Sequence, residues 1–207
     1  FVLDKSIASR GMIQADGSFD VEYKITVQNS GGADGEYDLY DLPNPDDDIV
    51  FNSASYTSDV PSGGALSTPP PSSPGWLLGD DVLLGSGGMH CYNLTVNVTL
   101  DLTDGVVGDD VYTGCGTSGG DPGSRGEGLY NEALLDVNND GQIDIEDDEC
   151  TDISDLMMFK DLVSVSSQNT DGSYDVVYKI RVLNFGGADG EYDLYDLPVF
   201  DDDIVIN

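Results

Sequence analysis

DGSFDVEYKITVQNSGGADGEYDLYDLPNPDDDIVFN, residues 16–52, is the stretch that decides the fold, and the chain contains it twice. Residues 171–207 read DGSYDVVYKIRVLNFGGADGEYDLYDLPVFDDDIVIN, aligned without a gap at an offset of 155, with 29 of 37 positions identical. GGADGEYDLYDLP is unchanged at 31–43 and 186–198. A fixed period of this kind marks a repeat architecture. The chain therefore reads as one whole unit, residues 1–155, followed by 156–207, the N-terminal part of a second copy in tandem. Phe1 and Asn207 read as the edges of a window on a longer array, or as those of a processed subunit. A half-unit cannot bury both faces of its strands. Its completion is expected from further chain or from a neighbouring copy by strand complementation.

Inside the quoted stretch, Phe19, Val21, Tyr23, Ile25 and Val27 fall on one face, and Asp20, Glu22, Lys24, Thr26 and Gln28 on the other. Period two over so many residues signals a half-buried antiparallel strand. Ser30–Gly35 is a Gly-rich turn, and Glu36–Leu42 alternates again, with Tyr37 and Leu39 opposite Asp38 and Tyr40, until Pro43 stops it. The acidic loop 44–48 leads into a strand at Ile49–Tyr56. Upstream, residues 1–9 suit a first strand, with a turn at Gly11 and Asp16-Gly17. Downstream, residues 57–75 are dense in Ser, Pro and Gly and read as a long surface loop of polyproline character. Strands follow at Trp76–Leu84 and Met89–Leu102, the latter with Tyr92, Leu94, Val96, Val98, Leu100 and Leu102 on one face. Residues 103–128 are Gly-rich and irregular, with a short strand at Val111–Tyr112. Tyr130–Val137 is a last strand before an acidic loop at 136–147. No segment carries a helical period. About seven to nine short strands separated by turn signals imply an all-β fold, an immunoglobulin-like β-sandwich.

Composition narrows the partners. The 40 Asp and Glu against 7 Lys and Arg give a formal charge of −33, which disfavours nucleic acid and anionic membrane. Most of these acids are expected to form a solvated, self-repelling surface, and some to hold divalent cations. The 11 Tyr and ordinary hydrophobic content are unlike a disordered acidic tail. No apolar run approaches the roughly 18 residues of a membrane-spanning helix.

The pattern DGS-F/Y-D-V-x-Y-K-I-x-V-x-N-x-G-G followed by E-Y-D-L-x-D-L-P resembles the conserved-repeat domains of large bacterial surface proteins. Tyr92–Leu102, VYTGCG at 111–116, GEGLYNEA at 126–133 and Cys150 continue the likeness. The resemblance implies immunoglobulin-like units strung in tandem at the cell surface or outside the cell. The chain departs from the pattern in its elaborated acidic loop before Cys150. Three Cys in an exported chain suggest one disulfide and one leftover. The resemblance favours Cys115–Cys150, which would enclose that loop and contribute roughly 3–4 kcal/mol through chain entropy. Cys91 is left as a buried or partly buried thiol, or as a partner for another chain.

The acidic loop carries the sharpest chemical signal. EF-hand and dockerin-type calcium loops place oxygen ligands at positions 1, 3, 5, 7, 9 and 12, with Gly at 6. Here those positions are Asp136, Asn138, Asp140, Gln142 (through its carbonyl), Asp144 and Asp147, with Gly141 at the turn and Ile143 expected to pack inward. An Asp/Asn-rich turn without metal is the alternative. Further carboxylates that could hold a cation are Asp46, Asp47 and Asp48 with Asp41, and their copies Asp201, Asp202 and Asp203 with Asp196, although such runs are usually solvated. Asp34, Glu36 and Asp38 read as exposed. Asn93-Leu-Thr95 and Asn97-Val-Thr99 match glycosylation acceptors but are also ordinary strand residues.

Nothing assembles a catalytic set. His90 is the only histidine, next to Cys91 at a strand start, and suits a surface or capping role. No carboxylate pair stands out as an acid/base couple. Trp76 and the pairs Tyr37/Tyr40 and Tyr192/Tyr195 read as core. The expectation is a non-enzymatic structural repeat of an extracellular bacterial filament, stalk or adhesin. Calcium and a disulfide would stiffen it, and neighbouring copies would be its partners. A carbohydrate- or protein-binding module of a surface adhesin is the alternative.

Overall fold

The computed structural model describes residues 1–60, 63–101, 115, 126–154, 156–199 and 203–205. Val111–Tyr112, most of 103–128, Leu102, Asp201 and Asp202 lie outside the described residues. In chain order the strands are β1 (Val2–Arg10), β2 (Phe19–Gln28), β3 (Gly35–Pro43), β4 (Ile49–Ser58), β5 (Gly63–Leu66), β6 (Trp76–Leu84), β7 (Met89–Leu100), β8 (Asn131–Val137), β9 (Ile145–Glu149), β10 (Leu156–Val165) and β11 (Val176–Asn184).

Strands β1 to β9 form two antiparallel sheets, β1-β2-β7-β4-β5 and β6-β3-β8-β9. β1-β2-β7-β4 facing β3-β8-β9 is the strand order of an immunoglobulin constant-type sandwich, with β6 added at one edge. The alternation of β2 explains its place. Val21, Ile25 and Val27 are completely buried, whereas Glu22, Lys24 and Gln28 are exposed. The register Phe19↔Val98, Tyr23↔Leu94, Ile25↔Tyr92 puts two alternating strands side by side with their apolar faces together. Tyr37, Leu39, Trp76, Leu78, Ala133 and Leu135 cover that face from the other sheet. Each large side chain so buried stabilises the sandwich by roughly 1.5–3 kcal/mol. Trp76 belongs to this core. Its Nε1 donates to the Ser67 carbonyl at 2.8 Å, and its ring meets Phe51 edge-on.

Two strands lie where loops are expected. β5 sits within the Pro-rich stretch, where Gly63–Leu66 pair with Ala54–Thr57 as a short edge strand lacking any apolar alternation. β9 takes up the end of the acidic loop. Its residues IEDDE pair with Asn131–Leu135, so the edge ladder overrides a composition poor in strand formers.

β1 also lies along the segment that follows β8. The Lys5 N–H donates to Asp147 Oδ2 at 2.6 Å, and Arg10 Nη1 to the Asp152 carbonyl at 3.2 Å. Both contacts span 142 residues, so β1 and residues 147–152 run in the same direction.

The hairpin β10–β11 repeats β1–β2 position for position. Lys160 faces Ile180 as Lys5 faces Ile25, and the irregularity between Leu162 and Ser164 matches that between Ile7 and Ser9. What differs is the cover. Tyr23 is 1% exposed and Tyr178 42%; Val21 is 0% exposed and Val176 44%. Residues 190–198, the counterpart of β3, form no strand, and Tyr192 and Tyr195 are exposed rather than packed in a core. β3 is held by β6 and β8, and no counterpart of either flanks 190–198 among the described residues.

Candidate functional site

The acidic loop joins β8 to β9 and closes on its own backbone. Asp136, nearly completely buried at the end of β8, accepts the Asp140 N–H at 3.2 Å and the Gly141 N–H at 2.8 Å. Asp140 Oδ1 accepts the Gln142 N–H, and Asp144 Oδ2 accepts the Val137 N–H across the loop mouth. Asn138, Asn139 and Gly141 take positive φ values of 80°, 54° and 81°. Asn tolerates that region through its short polar side chain, and Gly at no steric cost. Ile143 is 40% exposed, not packed inward, because the turn projects beyond the sheet. Asp147 lies on β9 and is turned to the Lys5 N–H, away from the turn that carries the other positions. Among the described residues no three His, Cys, Asp or Glu side chains converge as a group able to hold a metal ion.

The other acidic candidates separate. Asp46 and Asp48 are buried, and Asp46 Oδ1 caps the Asp48 N–H at 3.1 Å, while Asp47 is exposed. Asp41 stands apart in the core, where its Oδ2 meets Lys5 Nζ with both side chains fully buried. In the second copy, Asp196 accepts Lys160 Nζ at 2.5 Å with both side chains partly exposed, and Asp203 is exposed. The pair at 160 and 196 is the pair at 5 and 41 displaced by the repeat, including the Tyr ring beside each ammonium, Tyr23 at 5.0 Å and Tyr178 at 4.8 Å.

A disulfide joins Cys115 and Cys150. Gly128 lies against it at φ +45°; a Cβ there would sit 3.0 Å from Cys115 Sγ, 3.3 Å from Cys150 Sγ and 3.1 Å from the Thr151 carbonyl oxygen. Cys91 carries a free, half-buried thiol. Asn93 is exposed, and Asn97 is half-buried, donating to Asp20 Oδ1 at 2.7 Å.

His90, half-buried at the start of β7, has tyrosine partners. Its Nδ1 lies 2.8 Å from Tyr37 Oη, which lies 2.8 Å from Tyr92 Oη. Burial pushes the Tyr37 hydroxyl well above the ordinary phenol range and that of Tyr92 up to about 12, so both stay protonated. An open cavity of about 610 Å³ lies beside them, lined by Tyr56, Asp59, Val60, Val82 and Leu83 as well as His90.

The cluster around Lys5 is what a motif search misses. Burial lowers the Lys5 pKa and raises that of Asp41, each opposed by the attraction of its partner. Asn131, the first residue of β8, is also buried, and its carboxamide lies close enough to the Asp41 carboxyl to favour the charged form. Two signals were present in the sequence: Lys5 shares the inward parity of Leu3, and both Lys5 and Asp41 recur 155 residues later.

Comparison of the chain with protein-family models, with curated proteins and with solved structures finds no match.

Proposed function

We propose that the chain is a structural repeat of an extracellular bacterial filament, stalk or adhesin, built by stacking sandwich units. One observation carries this reading. β10–β11 reproduces the strand register, the irregularity and the Lys–Asp–Tyr arrangement of β1–β2, yet leaves exposed the face that β1–β2 buries. A face that stays apolar, in a stretch identical to the first copy at 29 of 37 positions, is suited to receive the remaining half of a sandwich, from the same polypeptide or a neighbouring one. The disulfide fits an oxidising compartment outside the cell, and the charge of −33 fits a surface that repels non-specific contacts.

Calcium belongs to this proposal as the ligand of the acidic loop, on the spacing of Asp136, Asn138, Asp140, Gln142 and Asp144 around Gly141. Binding to the folded state alone would stabilise the unit.

Electron microscopy of the native protein, with and without a chelator, tests the assembly. Regular filaments or strings of sandwich-sized beads are expected. Native material consisting of separate single particles in calcium-containing buffer refutes the structural reading. Thermal stability unchanged by chelator refutes the calcium part alone.

A further inference from the structure

Three groups able to condense with one another meet between the sheets. Lys5 Nζ on β1 contacts Asp41 Oδ2 on β3, and neither side chain has any exposed surface. The register of β3 with β8 sets Asp41 opposite Ala133 and Pro43 opposite Asn131. Asp41 and Asn131 are therefore diagonal neighbours on the core face. The Asn131 carboxamide and the Lys5 amine thus approach the same carboxyl from two strands. Asp41 Oδ1 and Asn131 Oδ1 are both buried and have no hydrogen-bond partner among the described residues. Orphaned acceptors in a buried site are costly. A proton on Asp41 Oδ1, donated to Asn131 Oδ1, would satisfy both and polarise the carboxamide carbonyl. The surroundings are dry, with the Tyr23 ring 5.0 Å from Nζ and Leu39 and Ala133 completely buried nearby in the ladder.

An ion pair in such a place is weak as a stabilising device, because desolvation consumes most of the attraction. As a reactive centre it is well made. Burial favours proton transfer from Lys5 to Asp41, leaving a neutral amine, which is a nucleophile, and a neutral carboxyl, which is a general acid. The amine and the carboxamide both meet this one carboxyl, and the Lys5 and Asp41 side chains have no exposed surface.

We propose that Lys5 Nζ condenses with Asn131 Cγ, forming an intramolecular amide cross-link between β1 and β8 with Asp41 relaying the protons. The Nζ lone pair attacks Cγ while Asp41 protonates Oδ1. The Asp41 carboxylate then takes a proton from Nζ and delivers it to Nδ2. The Cγ–Nδ2 bond breaks, the carbonyl re-forms by returning its proton to Asp41, and ammonia leaves with one hydrogen from Lys5. One C–N bond forms and one breaks, nothing is oxidised or reduced, and Asp41 ends protonated as it began.

The second copy supplies an internal control. Lys160 and Asp196 repeat the amine and the carboxyl, but both are partly exposed and no Asn counterpart of Asn131 faces them among the described residues. In residues 1–207 by themselves, with no such Asn supplied, Lys160 is expected to stay a free amine.

Mass spectrometry of the reduced, denatured full chain decides the matter. The wild type is expected one ammonia lighter than its sequence mass, and its digest should yield a branched peptide joining residue 5 to residue 131. That peptide separates the cross-link from succinimide formation at another Asn. An amine reagent applied after denaturation should label Lys160 and not Lys5. Asp41→Asn and Asn131→Ala should each have the full sequence mass and a reactive Lys5. If those variants do not fold, the wild-type measurement stands by itself. A folded wild type that keeps its full mass after long incubation overturns the proposal. So does loss of water with a branch joining residues 5 and 41.

Discussion

Gly128→Ala couples a backbone conformation to the disulfide. At φ +45° an L-residue is disfavoured by roughly 1–2 kcal/mol. The smaller conformational freedom of Ala in the unfolded chain returns about 0.4–1 kcal/mol, leaving a net backbone cost of about 1 kcal/mol. The new methyl group also needs space that is occupied. It would lie 3.0 Å and 3.3 Å from the two sulfurs and 3.1 Å from the Thr151 carbonyl oxygen. Sulfurs bonded to each other cannot withdraw, and crowding of this kind costs typically ~1–3 kcal/mol. The substitution should therefore destabilise the oxidised protein by about 2–4 kcal/mol. In a Cys115→Ser/Cys150→Ser background the two side chains move independently, and the cost should fall towards about 1 kcal/mol plus what Thr151 contributes. That background itself should lose roughly 3–4 kcal/mol, from the chain entropy of a cross-link with a sequence separation of 35. Urea unfolding of the four proteins in the double-mutant cycle measures the coupling directly. An equal cost of Gly128→Ala in both backgrounds would refute the reasoning, because the methyl group would then not be meeting the sulfurs.

Two further outcomes can be read independently. Tyr37→Phe removes the hydroxyl shared by His90 Nδ1 and Tyr92 Oη and leaves the Tyr92 hydroxyl buried without that partner; a loss of about 1–3 kcal/mol is expected in urea unfolding, and no loss would mean that water replaces it. Asp16 accepts the Ser18 hydroxyl at 2.8 Å and the Ser18 N–H at 3.1 Å, which hold its pKa below the ordinary 3.8. A carboxylate depressed in the folded state stabilises at pH above its unfolded value, and the contribution fades as pH falls through the folded value. Carboxyl NMR titration should show the Asp16 midpoint rising in Ser18→Ala while staying below 3.8, with Asp171, bonded in the same way to Ser173, unmoved as the reference. A midpoint that does not respond to Ser18→Ala would exclude the hydroxyl as the cause.

How far the sequence could be read depended on what each segment packs against. β2 and β7 were legible because each presents one face to a single core, so solvent and interior alternate with the pleat. β9 was not, because an edge strand with the sequence IEDDE takes its conformation from the ladder with β8 and not from its own side chains. β5 was hidden for the same reason. The acidic loop was legible as a turn, since its Asp and Asn positions accept backbone N–H groups within the loop itself. Asp41 was grouped with Asp46–Asp48 because they are neighbours in sequence. The sheets instead carry it to Lys5, 36 residues earlier, and to Asn131. Such a meeting depends on register across two sheets, which no local pattern encodes.

The parallel run of β1 beside residues 147–152 has a mechanical consequence. Tension applied through the start of β1 and the segment beyond Ile153 would draw two neighbours past each other along their length. The Lys5–Asp147 and Arg10–Asp152 contacts would then be strained together, not one after another as in a zipper pulled from its end. Simultaneous loading raises the force at which a structure yields, and that yielding is governed by the barrier to unfolding and not by equilibrium stability. A unit only moderately stable in urea would on this geometry still resist stretching between those two points.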